Sequence, residues 1–164
     1  MRRIAAVAAL LACMCANASP KDDLLRSVVL LKNKTEWGAT PIELSNTLAE
    51  LRTKFDLSSG LTDEQTAVTE DLIKVATAAI RILSNSDVAA LDLQSCYYEV
   101  RWKEGVDCRP KFNAVMAELS MAGDAEKANS ANPPGDLISQ ILSGLAFTAI
   151  HRKAEASLTS LKQK

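Results

Sequence analysis

Histidine, aromatic side chains and a surplus of either charge are what this sequence has least of. One imidazole among 164 residues, His151, means that any Ser-His-Asp or Cys-His arrangement must be built around that side chain alone. It falls on the polar stretch of the last amphipathic segment, where a solvated histidine is expected. Lys+Arg 19 against Asp+Glu 20 leaves no positive field to draw the chain onto nucleic acid or an anionic membrane. Six Gly and five Pro exclude collagen-like and low-complexity chains, and 48% hydrophobic with 24% charged residues is the composition of one ordinary globular domain. No C-x-x-C-H, H-E-x-x-H, G-x-G-x-x-G, P-loop or calcium-loop pattern occurs, so no metal or cofactor is expected. A haem held by His151 with Met116 or Met121 would take a methionine from an apolar helix row that core packing already explains. Asp22-Asp23 and Asp63-Glu64 stand at helix starts, where the helix dipole accounts for them, and Glu43, Glu50, Glu99 and Glu118 read as solvated faces rather than a paired acid and base.

The N-terminus is more telling. Met1-Arg2-Arg3 precedes an unbroken small and apolar run from Ile4 to Ala16, and Ala16-Asn17-Ala18 stands before Ser19-Pro20. A basic start, an apolar run shorter than the roughly 20 residues of a membrane span, and an A-x-A site describe a secretory signal peptide over 1–18. The mature chain, 19–164, is then a single helical domain, secreted or periplasmic, without a transmembrane anchor. Leu10-Leu11-Ala12-Cys13 offers a competing lipoprotein site at Cys13. Cysteine arithmetic favours the first cut: removal of Cys13 and Cys15 leaves Cys96 and Cys108 as an even pair, expected to close as one disulfide in an oxidising compartment. Cutting before Cys13 would strand Cys15 as a free thiol.

Beyond the leader the chain is punctuated by helix starts, and no alternating β-branched run competes with them. Ser19-Pro20 with Asp22 opens a first helix, reaching about Lys34 with Leu24, Val28 and Leu31 on one side. Thr40-Pro41-Ile42-Glu43 is a capping box ahead of Leu44, Leu48, Leu51 and Phe55. Thr62 with Gln65 opens a third helix, running to Leu83 with two apolar rows, which predicts a central position. The fourth is expected from Ser86 to about Gly105 with Ala89, Leu93, Cys96 and Val100 facing inward. Cys108 opens a fifth, carrying Phe112, Val115, Met116 and Leu119. A small, polar stretch from Gly123 to Gly135 precedes a last helix from about Asp136, whose end is expected to run beyond the core. The fold class is therefore an all-α bundle of five or six helices stapled by Cys96 and Cys108.

Two groupings rise above this background. Four of the seven aromatics lie in or beside one hairpin with basic side chains: Tyr97, Tyr98, Arg101, Trp102, Arg109 and Phe112. Tyr, Trp and Arg dominate protein interfaces, because they desolvate a large area while losing few rotamers; packing of Tyr97 and Trp102 around the disulfide is the alternative. Trp37, between the first two helices, either caps the bundle end or meets a partner. The expected protein-binding set is Tyr97, Tyr98, Arg101, Trp102, Arg109 and Trp37. The expected function is an exported helical protein acting through contact with another protein, as an inhibitor, immunity-type protein or accessory factor. A carrier of apolar ligands such as fatty acids is the alternative, suggested by the wide apolar faces of the third and last helices.

Overall fold

A computed structural model describes residues 19–124 and 137–163. Residues 1–18, expected to be a signal peptide, and the stretch containing Pro133-Pro134-Gly135 fall outside the described residues. Six α-helices are described: α1 (Pro20–Glu36), α2 (Pro41–Leu57), α3 (Asp63–Leu83), α4 (Val88–Val100), α5 (Arg109–Glu118) and α6 (Ile138–Lys162), with a short 3₁₀ turn at Ala122–Asp124.

The first three helices begin where the sequence predicts, and for the predicted reason. Ser19, Thr40 and Thr62 each accept the backbone N–H three residues on, while Asp22, Glu43 and Gln65 reach back to the cap. Two of the otherwise orphaned donors at each start are thereby satisfied. Pro20 and Pro41 open α1 and α2, positions where a missing N–H costs nothing.

α1, α2, α3 and α6 close into a ring: α1 packs on α2, α2 on α3, α3 on α6 and α6 back on α1. Contacts along the ring show that neighbours run antiparallel. Lys54 pairs with Asp23 at 3.8 Å and Lys34 with Glu43 at 3.5 Å across α1 and α2. At one end of the bundle the Gln65 side-chain amide, from the start of α3, donates to the carbonyls of Ser160 (3.0 Å) and Gln163 (3.2 Å). Lys21 Nζ, from the start of α1, also donates to Gln163 (3.2 Å). The last carbonyls of α6 are thus capped by side chains from two neighbouring helices.

Leu24, Val28, Leu31, Leu44, Leu51, Leu72, Val75, Leu142, Ile150 and Leu161 fill the ring with essentially no solvent exposure. The tail of α6 departs from expectation: Ala154, Ser157, Leu158, Ser160 and Leu161 are all buried, so the helix does not leave the core. Small residues and a hydroxyl pair, Thr69 with Ser157 at 3.3 Å, make this part of the α3 and α6 contact. A close approach built on Ala and Ser carries no large apolar stripe to read. α3 packs on two sides, against α2 and α6, but the helix with the most neighbours is α6, which touches α1, α3 and α4; on α3, Leu72, Val75, Ala76, Ala79 and Ile82 are buried. Ile73, Ile80 and Leu83 are half-buried.

The α4 and α5 hairpin is inserted between α3 and α6, its helices packed on each other and α4 also touching α6. Cys96 and Cys108 are joined in a disulfide with 5.8 Å between their Cα atoms. Closing that short loop sets the end of α4. Regular helix stops at Val100 instead of near Gly105, and turns at 101–105, with Gly105 at φ 81°, swing the chain back. Cys108 becomes the residue before α5 rather than part of it.

Candidate functional site

The hairpin sorts the expected binding residues into two groups. The inward row of α4 is Ala90, Leu93, Cys96 and Tyr97, not the predicted row of Ala89, Leu93, Cys96 and Val100, because regular helix ends at Val100, which stands exposed where the chain turns. Tyr97 is therefore buried in the core. Burial, helped by the Asp107 charge, pushes its phenol above the ordinary range. Tyr98, the next residue, is 65% exposed, and Trp102 is 82% exposed. The packing alternative for Trp102 does not hold.

The basic residues also divide. Arg101 places its guanidinium 5.7 Å from the centre of the Tyr98 ring, within cation–π range, which stiffens both side chains. Arg109 is clamped instead: its Nε and Nη2 donate to the two carboxylate oxygens of Asp107, each at 2.8 Å, while its backbone N–H donates to Oδ1 at 3.0 Å. These bonds hold the Asp107 carboxyl at a pKa of about 2. Arg109 thus organises the return of the hairpin. Trp37 stands on a separate turn, between α1 and α2, and is 71% exposed, so it does not cap the bundle end.

Two exposed apolar residues of α4 escaped the sequence reading. Val88 and Leu91 share a helical face with Tyr98 and extend the patch towards the start of the helix. Their signal was present in the 3 and 4 spacing of 88, 91, 95, 98 and 102. It was hidden by Ser95 at the middle position and by a second apolar row on the other side of the same helix.

A second feature lies between α2 and α3, the ring pair that meets least closely. An open groove of about 520 Å³ is floored by Phe55, Ile73 and Ala78, with Arg52 and Lys74 at its sides and Glu118 of α5 near one end. Arg52 donates to the Thr77 hydroxyl at 2.5 Å. Glu118 faces Asp87, the cap of α4, and Arg81, whose Nη2 is 3.5 Å from its carboxylate. Burial, and then the neighbouring Asp87 carboxyl, push the Glu118 carboxyl above its ordinary range.

His151 is half-buried where α6 meets α1. Its Nδ1 lies 3.5 Å from the Thr35 hydroxyl and 3.8 Å from Glu36, and its Nε2 lies 3.4 Å from Glu155. The order hydroxyl, imidazole, carboxylate resembles a nucleophile chain in outline only. Thr35 is buried and donates its proton to the Lys32 carbonyl at 2.6 Å, leaving no activated nucleophile facing a substrate. Lys32 joins Glu155 and Glu36 at 3.2 and 3.5 Å, so the cluster ties α1 to α6. Among the described residues no group of three or more His, Cys, Asp or Glu could hold a metal ion. No described helix is long and apolar enough to cross a membrane.

No family model matches the chain, and no curated protein or solved structure is similar to it. Fold and surface together define an all-α, disulfide-bonded bundle whose inserted hairpin turns an aromatic face to solvent.

Proposed function

We propose that this chain is an exported binding protein that works by contact with another protein, through the outward face of the α4 and α5 hairpin. The observation that carries the reading is the exposure of Tyr98, at the end of α4, and Trp102, on the turn that follows, in a hairpin tied by a disulfide and braced by the Arg109 and Asp107 clamp. Large amphipathic rings have few rotatable bonds and so lose little conformational entropy when a partner covers them, and the Tyr98 ring is already stacked with Arg101. The leader over 1–18 and the disulfide support export from the cytoplasm. Affinity capture from the exported fraction of the source cells tests the proposal. The Tyr98→Ala and Trp102→Ala double variant should lose a partner that the unaltered chain retains. Equal capture by both proteins would overturn it.

The groove between α2 and α3 favours a second reading, a carrier of apolar ligands, since its volume is that of small-molecule sites and its floor is apolar. Native mass spectrometry of the protein from its own source separates the two. A releasable lipid mass that disappears in Ile73→Glu supports the carrier, and a bare protein mass counts against it.

A further inference from the structure

The face of α4 opposite its core row has the pattern of a helix-pairing seam. Val88, Leu91, Ser95, Tyr98 and Trp102 follow one another at intervals of three, four, three and four residues, and all five are exposed. The last of them stays in line although regular helix ends at Val100. The backbone N–H groups of Trp102 and Lys103 both donate to the Glu99 carbonyl, at 2.9 and 3.0 Å, and carry the helical course one turn further. At 1.5 Å per residue the seam is about 21 Å long, the reach of four turns of a facing helix. Ser95 at its centre is smaller than its neighbours in the row, and a shallow, open hollow there is bordered by Gln94, Ser95, Tyr98 and Glu99. A gap of this kind between larger neighbours is where a partner helix sets an aliphatic side chain.

The edges of the seam say what kind of helix fits. One edge carries the exposed carboxylates of Asp92 and Glu99, two turns apart. The other carries Gln94 and Arg101, the latter held over the Tyr98 ring. A second copy of this chain fits badly, because an antiparallel two-fold pair sets Asp92 of each copy near Glu99 of the other, placing like charges against each other along that edge. Residues 125–136 contain no large apolar side chain with which to cover the seam.

We propose that this seam receives an amphipathic helix of a different protein, one bearing an apolar stripe flanked by Lys or Arg along the edge that meets Asp92 and Glu99. This rests on the contact reading above and adds the chemistry of the partner. Charge at the edge sets specificity while the apolar seam supplies most of the affinity.

The test uses the oxidised chain beginning at Ser19 and two fluorescein-labelled helical peptides with the same leucine stripe, one flanked by lysines and the other by glutamates. Fluorescence anisotropy at physiological salt should show the lysine peptide binding at least tenfold more tightly. Asp92→Lys with Glu99→Lys, both changes on exposed positions, should reverse that order. Leu91→Asp should abolish binding of both peptides, with circular dichroism reporting that the helices remain. Equal binding of the two peptides, or binding of neither, overturns the proposal. So does sedimentation of the free chain as a dimer that Leu91→Asp dissolves, an outcome that assigns the seam to a second copy. If neither peptide binds while the Tyr98→Ala and Trp102→Ala variant still loses the native partner, the helix inference falls and the contact reading stands.

Discussion

The four-helix ring and the hairpin inserted into it are held by different means. In the ring, three helices start with reciprocal capping boxes, and the end of α6 is closed by Gln65 and Lys21 from its neighbours. Large apolar side chains fill the middle. In the hairpin, Asp87 accepts a single cap bond at the start of α4, the Cys108 cap of α5 makes none and leaves only the Arg109 N–H taken by Asp107, and α5 is only 10 residues long. A disulfide adds to what this sparse capping and the buried Leu93, Phe112, Val115, Met116 and Leu119 supply. The hairpin also turns Tyr98, Trp102, Val88 and Leu91 outward. An element stapled covalently can leave apolar surface in water, because its place does not depend on burying that surface.

The sharpest way to break this comparison is to damage each region in turn. Leu72→Ala, at the fully buried centre of the ring, should cost about 2 to 5 kcal/mol, read by urea unfolding, and should loosen the whole molecule together. Cys96→Ser with Cys108→Ser should cost about 3 kcal/mol in the chain-entropy account of a short loop. Hydrogen exchange should then rise in α4 and α5 while α3 and α6 stay protected. If protection fell equally in α3, the two regions would be one cooperative unit.

Smaller effects sharpen the contrast. Thr62→Ala should lose about 1 kcal/mol through its capping box. Cys108→Ala under reducing conditions should cost only the packing of its buried sulfur beyond reduction itself, because Cys108 makes no side-chain cap bond.

Between the regions sits Glu118, facing Asp87 and Arg81. Its folded-state carboxyl titrates above the ordinary range, so the folded protein holds a proton that the unfolded chain has released. Stability contributed by this group is present below the ordinary glutamate range and declines as the pH rises through the raised value. Glu118→Gln should flatten that decline in unfolding measured from pH 4 to 8. Asp107 acts with the opposite sign: with its folded pKa at about 2, its contribution is present at neutral pH and is lost as the pH falls from the ordinary aspartate range towards that value. Asp107→Asn should remove this acid-side loss, a small effect at an exposed pair.

How legible each region was follows the same division. Capping boxes are short, local patterns, so the starts of α1, α2 and α3 could be placed from Ser19, Thr40 and Thr62 alone. The Cys96 and Cys108 pair followed from parity, on the expectation that residues 1–18 are removed as a leader. The end of α6 was not legible, because Ala154, Ser157 and Ser160 are buried by close helix approach, which periodicity of large residues does not report. In the hairpin, two apolar rows on α4 compete for the inside, Cys96 fits either, and nothing local says that Tyr97 turns inward and Tyr98 outward. Trp37 shows the same limit: exposure of a loop tryptophan depends on whether a neighbour covers it, and none of its adjacent residues encodes that.

The claim that most needs testing is that the ring carries stability while the hairpin face carries contact. Urea unfolding and partner capture should be measured on one preparation of the Tyr98→Ala and Trp102→Ala variant beside the unaltered chain. The expected result is an unfolding free energy within about 0.5 kcal/mol of the original, as for exposed positions generally, together with loss of the captured partner. A stability loss above about 1 kcal/mol, well beyond what exposed positions show, or undiminished capture, would contradict it.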